Sequence, residues 1–535
     1  MNPFDNQYDV APEWDAHDGV SRRAFLKRLV SAGAGGMGLG MGLALPAHAA
    51  GAAQPRRGGV LKLGMSGGNT TDSLDPALLV DLVGMNQAYM LMNGLIEIDS
   101  KMQAQPELLT SWEARPGAAQ WIFNVRQGVT FHNGKTLDAD DIVYSINLHR
   151  SDASRSVVKS NLEEIVAVRT LGKNQIGIDL RSGNADLPYL LSDFHLLVVP
   201  NGFKDWKKPI GTGPFIFDQY APGVRSLFHR NPHYWKADAA WVDAVEVIVI
   251  NDGTARTNAL ISGQVHAISR VDFKAVDLLR RNAGLKLVRS AGGQHCTFLM
   301  DCATPQFADN NVRLAVKYGI DRKQQLATIL RGYGTIGNDQ PIPRTDRFYA
   351  ADVAQRAYDP DKSKFYLKKA GLATLKLQLA TSDAAFAGAV DSAALFQNEC
   401  APGGIELSIT RQPADSYWDK VWMHAPFCMG YWAGRPSADQ MFATAWQSAA
   451  KWNDTHWHDP QFDALLLQAR GLADDGKRHE LYREMQVIAS ERGGAMIPLF
   501  ADYIDATSST LQGATPHPLH NFMGRRLAQY VWLAA

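Results

Sequence analysis

The chain has 535 residues, of which 46% are hydrophobic, and its 54 basic side chains balance its 54 acidic side chains. This length is too great for one hydrophobic core and predicts two or three subdomains. The balance of charge argues against a broad basic surface for nucleic acid or for an anionic membrane, so we expect no nucleic-acid partner.

Residues 1–49 have the pattern of a twin-arginine signal peptide. Arg22 and Arg23 precede a weakly apolar, glycine-rich run at 29–45, and the sequence AHA at 47–49 provides a cleavage site. The run has too little apolar bulk for a membrane span of about 20 apolar residues. Because no cysteine follows it, we expect a soluble, not lipid-anchored protein, exported by the twin-arginine translocase to the periplasm of a two-membrane bacterium.

The first predicted strand, Val60–Met65, leads into a G-x-S-x-G pattern at 64–68. This pattern also marks the nucleophile elbow of serine hydrolases, with Ser66 as the nucleophile. An elbow needs a helix directly after the serine, whereas the residues up to 76 are rich in helix breakers. A periplasmic serine hydrolase or amidase is therefore the alternative from another class of function.

Residues 121–144 hold the most specific pattern of the chain. A strand at 121–126 and a short strand ending at Phe131 are separated by a turn, and a second turn at 132–134 (HNG) leads to a helix. Asp138 is placed to cap that helix, and two aspartates follow in its first turn, where carboxylates meet the positive end of the helix dipole.

Further motifs lie on both sides of this segment. They are 84–99 (GMNQAYMLMNGLIEID), 106–113 (PELLTSWE), 211–215 (GTGPF), 230–235 (RNPHYW), 262–266 (SGQVH), 312–315 (VRLA), 319–322 (GIDR), 358–362 (YDPDK), 370–372 (AGL) and 497–499 (IPL). In this order they resemble the extracytoplasmic solute-binding proteins of family 5, the dipeptide-, oligopeptide- and nickel-binding receptors of ABC importers. The resemblance implies a protein that captures a solute and delivers it unchanged to a membrane permease driven by ATPase subunits, and that is not an enzyme.

The resemblance also implies an α/β fold of two hinged lobes, in the large class with an inserted subdomain. The expected division is lobe I at 50–95, the inserted subdomain at 96–204, lobe I again at 205–290, lobe II at 291–496, and a return to lobe I at 497–535. Alternating strand-rich and helical runs independently indicate α/β lobes. Two chain crossings make a hinge, so we expect a ligand cleft between the lobes of a monomer.

In this family the loop after the first strand lines the cleft. Gly67, Gly68 and Asn69 are therefore predicted to give backbone contacts to an extended ligand.

The segment 428–442 (CMGYWAGRPSADQMF) resembles the lobe II loop in which peptide binders place a tryptophan on the ligand and an aspartate on its α-ammonium group. Tyr431 and Trp432 are predicted ligand contacts, and Arg435 stands at the position of that aspartate. A guanidinium there suits a carboxylate or phosphate, which predicts an acidic, N-blocked or opine-like ligand. Two alternatives stay open: Arg435 pairs with Asp439, or Asp439 binds the ammonium group.

The sequence gives only weak indications of a metal site and of a disulfide bond. His456 and His458, with His424 upstream, lack standard ligand spacing; we expect no cofactor and no bound metal, and a nickel chelate is kept as an alternative ligand. Cys400 and Cys428 are the expected disulfide pair in an oxidising compartment, with buried free thiols as the alternative.

Overall fold

The computed structural model describes residues 54–534, apart from the side chain of Asp415, so the predicted signal peptide lies outside the described residues. The strands are β1 (Val60–Met65), β2 (Ile96–Ile98), β3 (Ala104–Pro106), β4 (Leu109–Ala114), β5 (Gln120–Val125), β6 (Ile165–Gly172), β7 (Gln175–Leu180), β8 (Phe215–Ala221), β9 (Arg225–Arg230), β10 (Ala244–Val249), β11 (Ala267–Ile268), β12 (Leu285–Ser290), β13 (His295–Met300), β14 (Gly334–Ile336), β15 (Leu375–Thr381), β16 (Ile405–Arg411), β17 (Phe427–Trp432), β18 (Ala495–Ala501), β19 (Tyr503–Ser508), β20 (Leu511–Gln512) and β21 (Trp532–Leu533).

The helices alternate with these strands. They are α1 (Leu82–Leu91), α2 (Ala139–Leu148), α3 (Leu187–Leu190), α4 (Gly253–Ile261), α5 (Val276–Arg280), α6 (Pro305–Ala308), α7 (Asn310–Tyr318), α8 (Arg322–Thr328), α9 (Pro360–Lys369), α10 (Ala389–Cys400), α11 (Tyr417–Lys420), α12 (Ala438–Ala445), α13 (Pro460–Arg470), α14 (Asp475–Arg492) and α15 (Leu527–Tyr530). Short 3-10 turns lie at Pro76–Leu78, Lys159–Leu162, Ala401–Gly403 and Ala414–Ser416.

Lobe I is built on a seven-stranded sheet in the order β12-β19-β11-β1-β10-β9-β8. The strand β1 lies inside this sheet and pairs in parallel with β10 and β11. Leu61, Leu63 and Met65 lie on one face of β1, because side chains alternate along a strand, and all three are fully buried in the lobe I core.

Lobe II is built on a six-stranded sheet in the order β14-β18-β13-β17-β15-β16. The chain enters this lobe between β12 and β13, at residues 291–294, and leaves it between β18 and β19, at Asp502. The expected return at 497 is wrong by about one strand, because residues 497–499 lie within β18, which pairs with β13 of lobe II. The two lobes with two crossings confirm the predicted α/β architecture.

The inserted subdomain has a four-stranded antiparallel sheet in the order β4-β5-β7-β6, with α2 packed on it. The predicted cap of α2 is confirmed: the Asp138 side chain accepts hydrogen bonds from the backbone nitrogens of Asp140 and Asp141, and the Asp141 side chain accepts one from the backbone nitrogen of Asp138. Lys135 lies 2.6 Å from Asp141 and neutralises this buried carboxylate.

Four of the motifs, at 84–99, 106–113, 211–215 and 230–235, meet at Asn93, a 2% exposed residue that follows α1. Its amide nitrogen donates to Glu107 at 2.8 Å and to the Tyr234 hydroxyl at 3.0 Å, while its oxygen accepts from Thr212 at 3.0 Å and from the Trp235 indole at 3.2 Å. These motifs therefore join the inserted subdomain to lobe I, and their role here is structural.

The expected disulfide is wrong, because Cys400 and Cys428 are both unpaired and buried. Cys400 ends α10, and its thiol donates to the carbonyl of Gln397 in the same helix and to that of Ile405 on β16, whereas Cys428 is on β17. Burial raises the pKa of the Cys400 thiol to about 12, so this cysteine is a small core residue without thiolate reactivity.

Within residues 54–534, the helices are too short or too polar to cross a lipid bilayer.

Candidate functional site

A cavity of about 780 Å³ lies where lobe II faces the inserted subdomain and the last segment of lobe I. Its volume is in the range of sites for small organic ligands. Leu79 and Phe194 line it from one side, Arg435 and Gln440 from lobe II, and His520 from the C-terminal segment. The cavity is therefore the interlobe cleft that the two-lobe fold predicts.

Arg435 lies in this cavity with no carboxylate at ion-pair distance among the described residues. Its guanidinium stacks 5.7 Å from the centre of the Trp432 ring, and its one hydrogen bond is a long one of 3.5 Å to the Ala433 carbonyl. Burial lowers the pKa of Arg435, an effect that the charge of Asp193 opposes. The side chain is thus a cation that lacks a full set of partners.

The alternative pairing of Arg435 with Asp439 is wrong. Asp439 is 2% exposed and binds Arg470 instead, with the Arg470 Nε 2.6 Å from its Oδ1. Arg470 also binds Glu164 of the inserted subdomain at 2.7 Å. Because Arg470 already neutralises Asp439, this carboxylate is poorly suited to take over a ligand ammonium.

A half-buried carboxylate of the cavity, that of Asp193, is also engaged. Asp193 lies 2.6 Å from the Nδ1 of His195, whose Nε2 faces the Leu79 carbonyl at 2.8 Å. Although burial opposes it, the contact with His195 holds the pKa of Asp193 at about 2.

A second unpartnered cation was missed at the level of sequence. Arg525 is 6% exposed, its Nε is buried without a hydrogen-bond partner, and its guanidinium forms no ion pair within the described part of the chain. It lies 4.3 Å from the centre of the Phe194 ring. Burial lowers the pKa of Arg525 to about 10. The only signal in the sequence is the basic pair that it forms with Arg526 in an otherwise weakly charged tail.

The predicted contacts Gly67, Gly68 and Asn69 lie outside the lining of the cavity. The backbone nitrogen of Gly67 donates to Asn251 at 2.8 Å, and that of Asn69 donates to Asp72 at 2.7 Å. The loop is thus tied to lobe I, and its contact with an extended ligand stays a prediction.

Tyr431 and Trp432 do not line the cavity either. They point to opposite faces because they are neighbours on β17. Trp432 is 8% exposed and donates its indole N–H to Asp454 at 2.9 Å, whereas Tyr431 is 40% exposed and packs on Trp418. Trp432 reaches the ligand region only through the guanidinium of Arg435 that stacks on it.

Ser66 directly follows β1, but the next helical element is the short turn at Pro76–Leu78. The helix that a nucleophile elbow requires is therefore missing at this position. His456 binds Asp301 at 3.0 Å, and the described residues contain no cluster of three or more metal-ligating side chains.

The inserted subdomain contacts lobe II directly at the edge of this region. Asp186 is 1% exposed and binds two arginines of lobe II, Arg347 and Arg478, each at 2.7 Å. The backbone nitrogen of Ala185 donates to the Arg470 carbonyl at 2.8 Å. We call this set of contacts around Asp186 the interlobe latch.

Comparisons with known proteins agree with the two-lobe fold. The model of the bacterial extracellular solute-binding proteins, family 5, matches residues 103–454. Di/tripeptide-binding protein 1 of Pseudomonas aeruginosa is 24% identical over 428 residues, which cover 72% of this chain and 79% of that protein.

Two solved structures have the same fold. The periplasmic binding protein DppA of Helicobacter pylori, in complex with a peptide, is 22% identical with a TM-score of 0.76, over 90% of this chain and 99% of that one. AgaA of A. tumefaciens R10, in complex with agropinic acid, is also 22% identical with a TM-score of 0.76, over 89% and 99%. The family match covers well over half of the sequence, and the chain belongs to the bacterial extracellular solute-binding proteins of family 5.

Proposed function

We propose that this protein is the substrate-binding component of an ABC importer for a peptide-like solute that carries a carboxylate. Members of the family bind solutes for such importers. The finer proposal is a ligand that is acidic, N-blocked or an opine-like conjugate of an amino acid.

The observation that carries the proposal is Arg435, a half-buried cation in the interlobe cavity that forms no ion pair within residues 54–534. Burying even part of such a charge costs free energy unless a counter-charge compensates it. A ligand carboxylate would remove that cost, because its two oxygens match the forked donors of a guanidinium.

The carboxylates of the cavity support the same ligand class. Asp193 is engaged by His195, and Asp439 by Arg470. Glu164 is also bound by Arg470, and Glu163, the remaining acid of the lining, is exposed. A free α-ammonium group would therefore meet no buried carboxylate that lacks a partner among the described lining residues. An unblocked neutral peptide fits this charge distribution poorly.

In this proposal the ligand favours a closed arrangement of the lobes, and the closed form delivers it to the permease and its ATPase subunits. The protein reaches the periplasm through the twin-arginine translocase, as residues 1–49 predict, and works there as a monomer.

The proposal is tested by mass spectrometry of small molecules released from natively purified protein. We expect wild type to release a compound with a carboxylate, and Arg435→Gln to lose it, because removing one partner of a buried charged pair costs about 2–5 kcal/mol of binding. Arg115→Gln is the matched control, since Arg115 is exposed on the inserted subdomain. A cationic compound, or equal retention by Arg435→Gln, would contradict the proposal.

A further inference from the structure

Arg525 is the last residue of an unusual backbone segment. Phe522, Met523, Gly524 and Arg525 all have positive φ values, of 54°, 55°, 66° and 74°. Three of these four residues are not glycine, so the left-handed conformation is disfavoured at each by the contact of its Cβ with the backbone. Such strain persists only where the surroundings impose it, and it concentrates at functional sites.

Lobe I imposes this left-handed turn through Asp505 on β19. The carboxylate of Asp505 accepts from the backbone nitrogen of Phe522 at 2.6 Å and from the side chain of Asn521 at 2.8 Å. Phe522 is fully buried in the lobe I core. Asp505, which anchors the turn, lies three residues after the chain crossing at Asp502. The anchored turn holds Arg525 in the wall of the cavity.

Arg525 faces the cavity from lobe I, and Arg435 faces it from lobe II. Each guanidinium stacks on an aromatic ring, and neither forms an ion pair within residues 54–534. We infer that Arg525 and Arg435 bind one anionic group of the ligand from opposite lobes, so that the ligand's charge draws the lobes together. This inference rests on the proposed function and extends it to a residue on the other lobe.

The physical reason is a change of sign in the electrostatic interaction across the cleft. Without a ligand, two cations that face the same cavity, one buried and one half-buried, repel each other and oppose closure. An anion between them replaces that repulsion by two attractions, and it does so only in the closed arrangement. A ligand shifts a conformational equilibrium by its differential affinity for the two states, and this arrangement makes that difference large.

The test uses succinate and inorganic phosphate as probes, each titrated to about 10 mM at constant ionic strength while the melting temperature is recorded. The full-length mature protein is compared with Arg525→Gln, Arg435→Gln, the double variant, and the exposed control Arg115→Gln. We expect wild type and the control to be stabilised, and each single variant to bind the better probe at least about tenfold more weakly. A preference for succinate identifies a carboxylate ligand, and a preference for phosphate a phosphorylated one.

The double variant decides whether the two arginines bind the same group. If they do, the loss in the double variant is smaller than the product of the two single losses, because contacting residues are not additive. Small-angle scattering gives a second measurement: the probe should reduce the radius of gyration of wild type but not of Arg525→Gln.

Two outcomes would overturn the inference. The first is an unchanged anion response in Arg525→Gln beside a lost response in Arg435→Gln, which leaves the proposed function intact. The second is a wild type whose melting temperature responds to neither probe. The solute-binding role is tested separately, by the mass spectrometry of released compounds, so the two failures can be told apart. Arg525→Lys guards against misfolding, since it keeps the charge and should keep a weaker response.

Discussion

The interlobe latch makes a prediction about the closed arrangement. In Asp186→Asn the central carboxylate becomes neutral, and two arginines of lobe II, Arg347 and Arg478, lose their partner in the inserted subdomain. Arg478 is 2% exposed and cannot turn to water, whereas the Arg347 side chain is 27% exposed. The change therefore destabilises the closed arrangement more than it destabilises either lobe.

The free-energy cost of Asp186→Asn depends on which ion pairs the two arginines retain. Breaking a buried ion pair by removing one partner costs about 3–5 kcal/mol. Both arginines retain Asp475 of lobe II, at 3.1 Å and 3.3 Å, so we expect the lower end of that range. About 3 kcal/mol corresponds to about a hundredfold shift toward the open arrangement, at 1.4 kcal/mol for each factor of ten.

Small-angle X-ray scattering of each protein with the compound released from wild type, added at the same saturating concentration, measures this shift directly. We expect a larger radius of gyration for Asp186→Asn than for wild type. Asp475→Asn is the matched control, because it removes an exposed carboxylate from the same two arginines without touching the contact between the lobes. The same scattering curve for Asp186→Asn and wild type would refute the reasoning.

Three further predictions concern stability and export. Asn93→Ala removes four hydrogen bonds, two of them fully buried, so urea unfolding should show a loss of about 4 kcal/mol in the free energy of unfolding; an unchanged urea midpoint would show that these hydrogen bonds do not stabilise the fold. Burial raises the pKa of Glu399 to about 7, above its value of about 4.3 in an unfolded chain. The folded protein then holds more protons between these two values, and its stability falls as the pH rises through this window. Glu399→Gln should flatten the dependence of stability on pH in this window, and calorimetry should show it melting higher than wild type above about pH 7. Melting temperatures that change with pH in parallel for the two proteins would contradict this prediction. Replacing Arg22 and Arg23 by lysine should leave the precursor in the cytoplasm on cell fractionation, and normal processing would exclude the twin-arginine pathway.

Local features of the fold could be predicted from the sequence. The strand Val60–Met65 and the helix capped by Asp138 were found because their patterns depend on residues only a few positions apart. The return to lobe I was placed too early, because the motif at 497–499 gives no sign of which sheet its strand joins.

The charged residues of the cavity depend on distant partners, and sequence reasoning found them only in part. Arg435 was identified by its departure from a family pattern. The partner of Asp439 was not, since Arg470 is on another helix 31 residues away. Arg525 could not be found, because its position depends on a left-handed turn that a residue of lobe I, Asp505, holds from outside the segment.

The most direct test of the central claim is a tryptophan fluorescence titration of the protein with the compound released from it, followed by chromatographic recovery of that compound. We expect a saturable change that corresponds to one ligand for each chain, with the compound returned intact. Conversion of the compound by the purified protein, which would favour a hydrolase using Ser66, would contradict it.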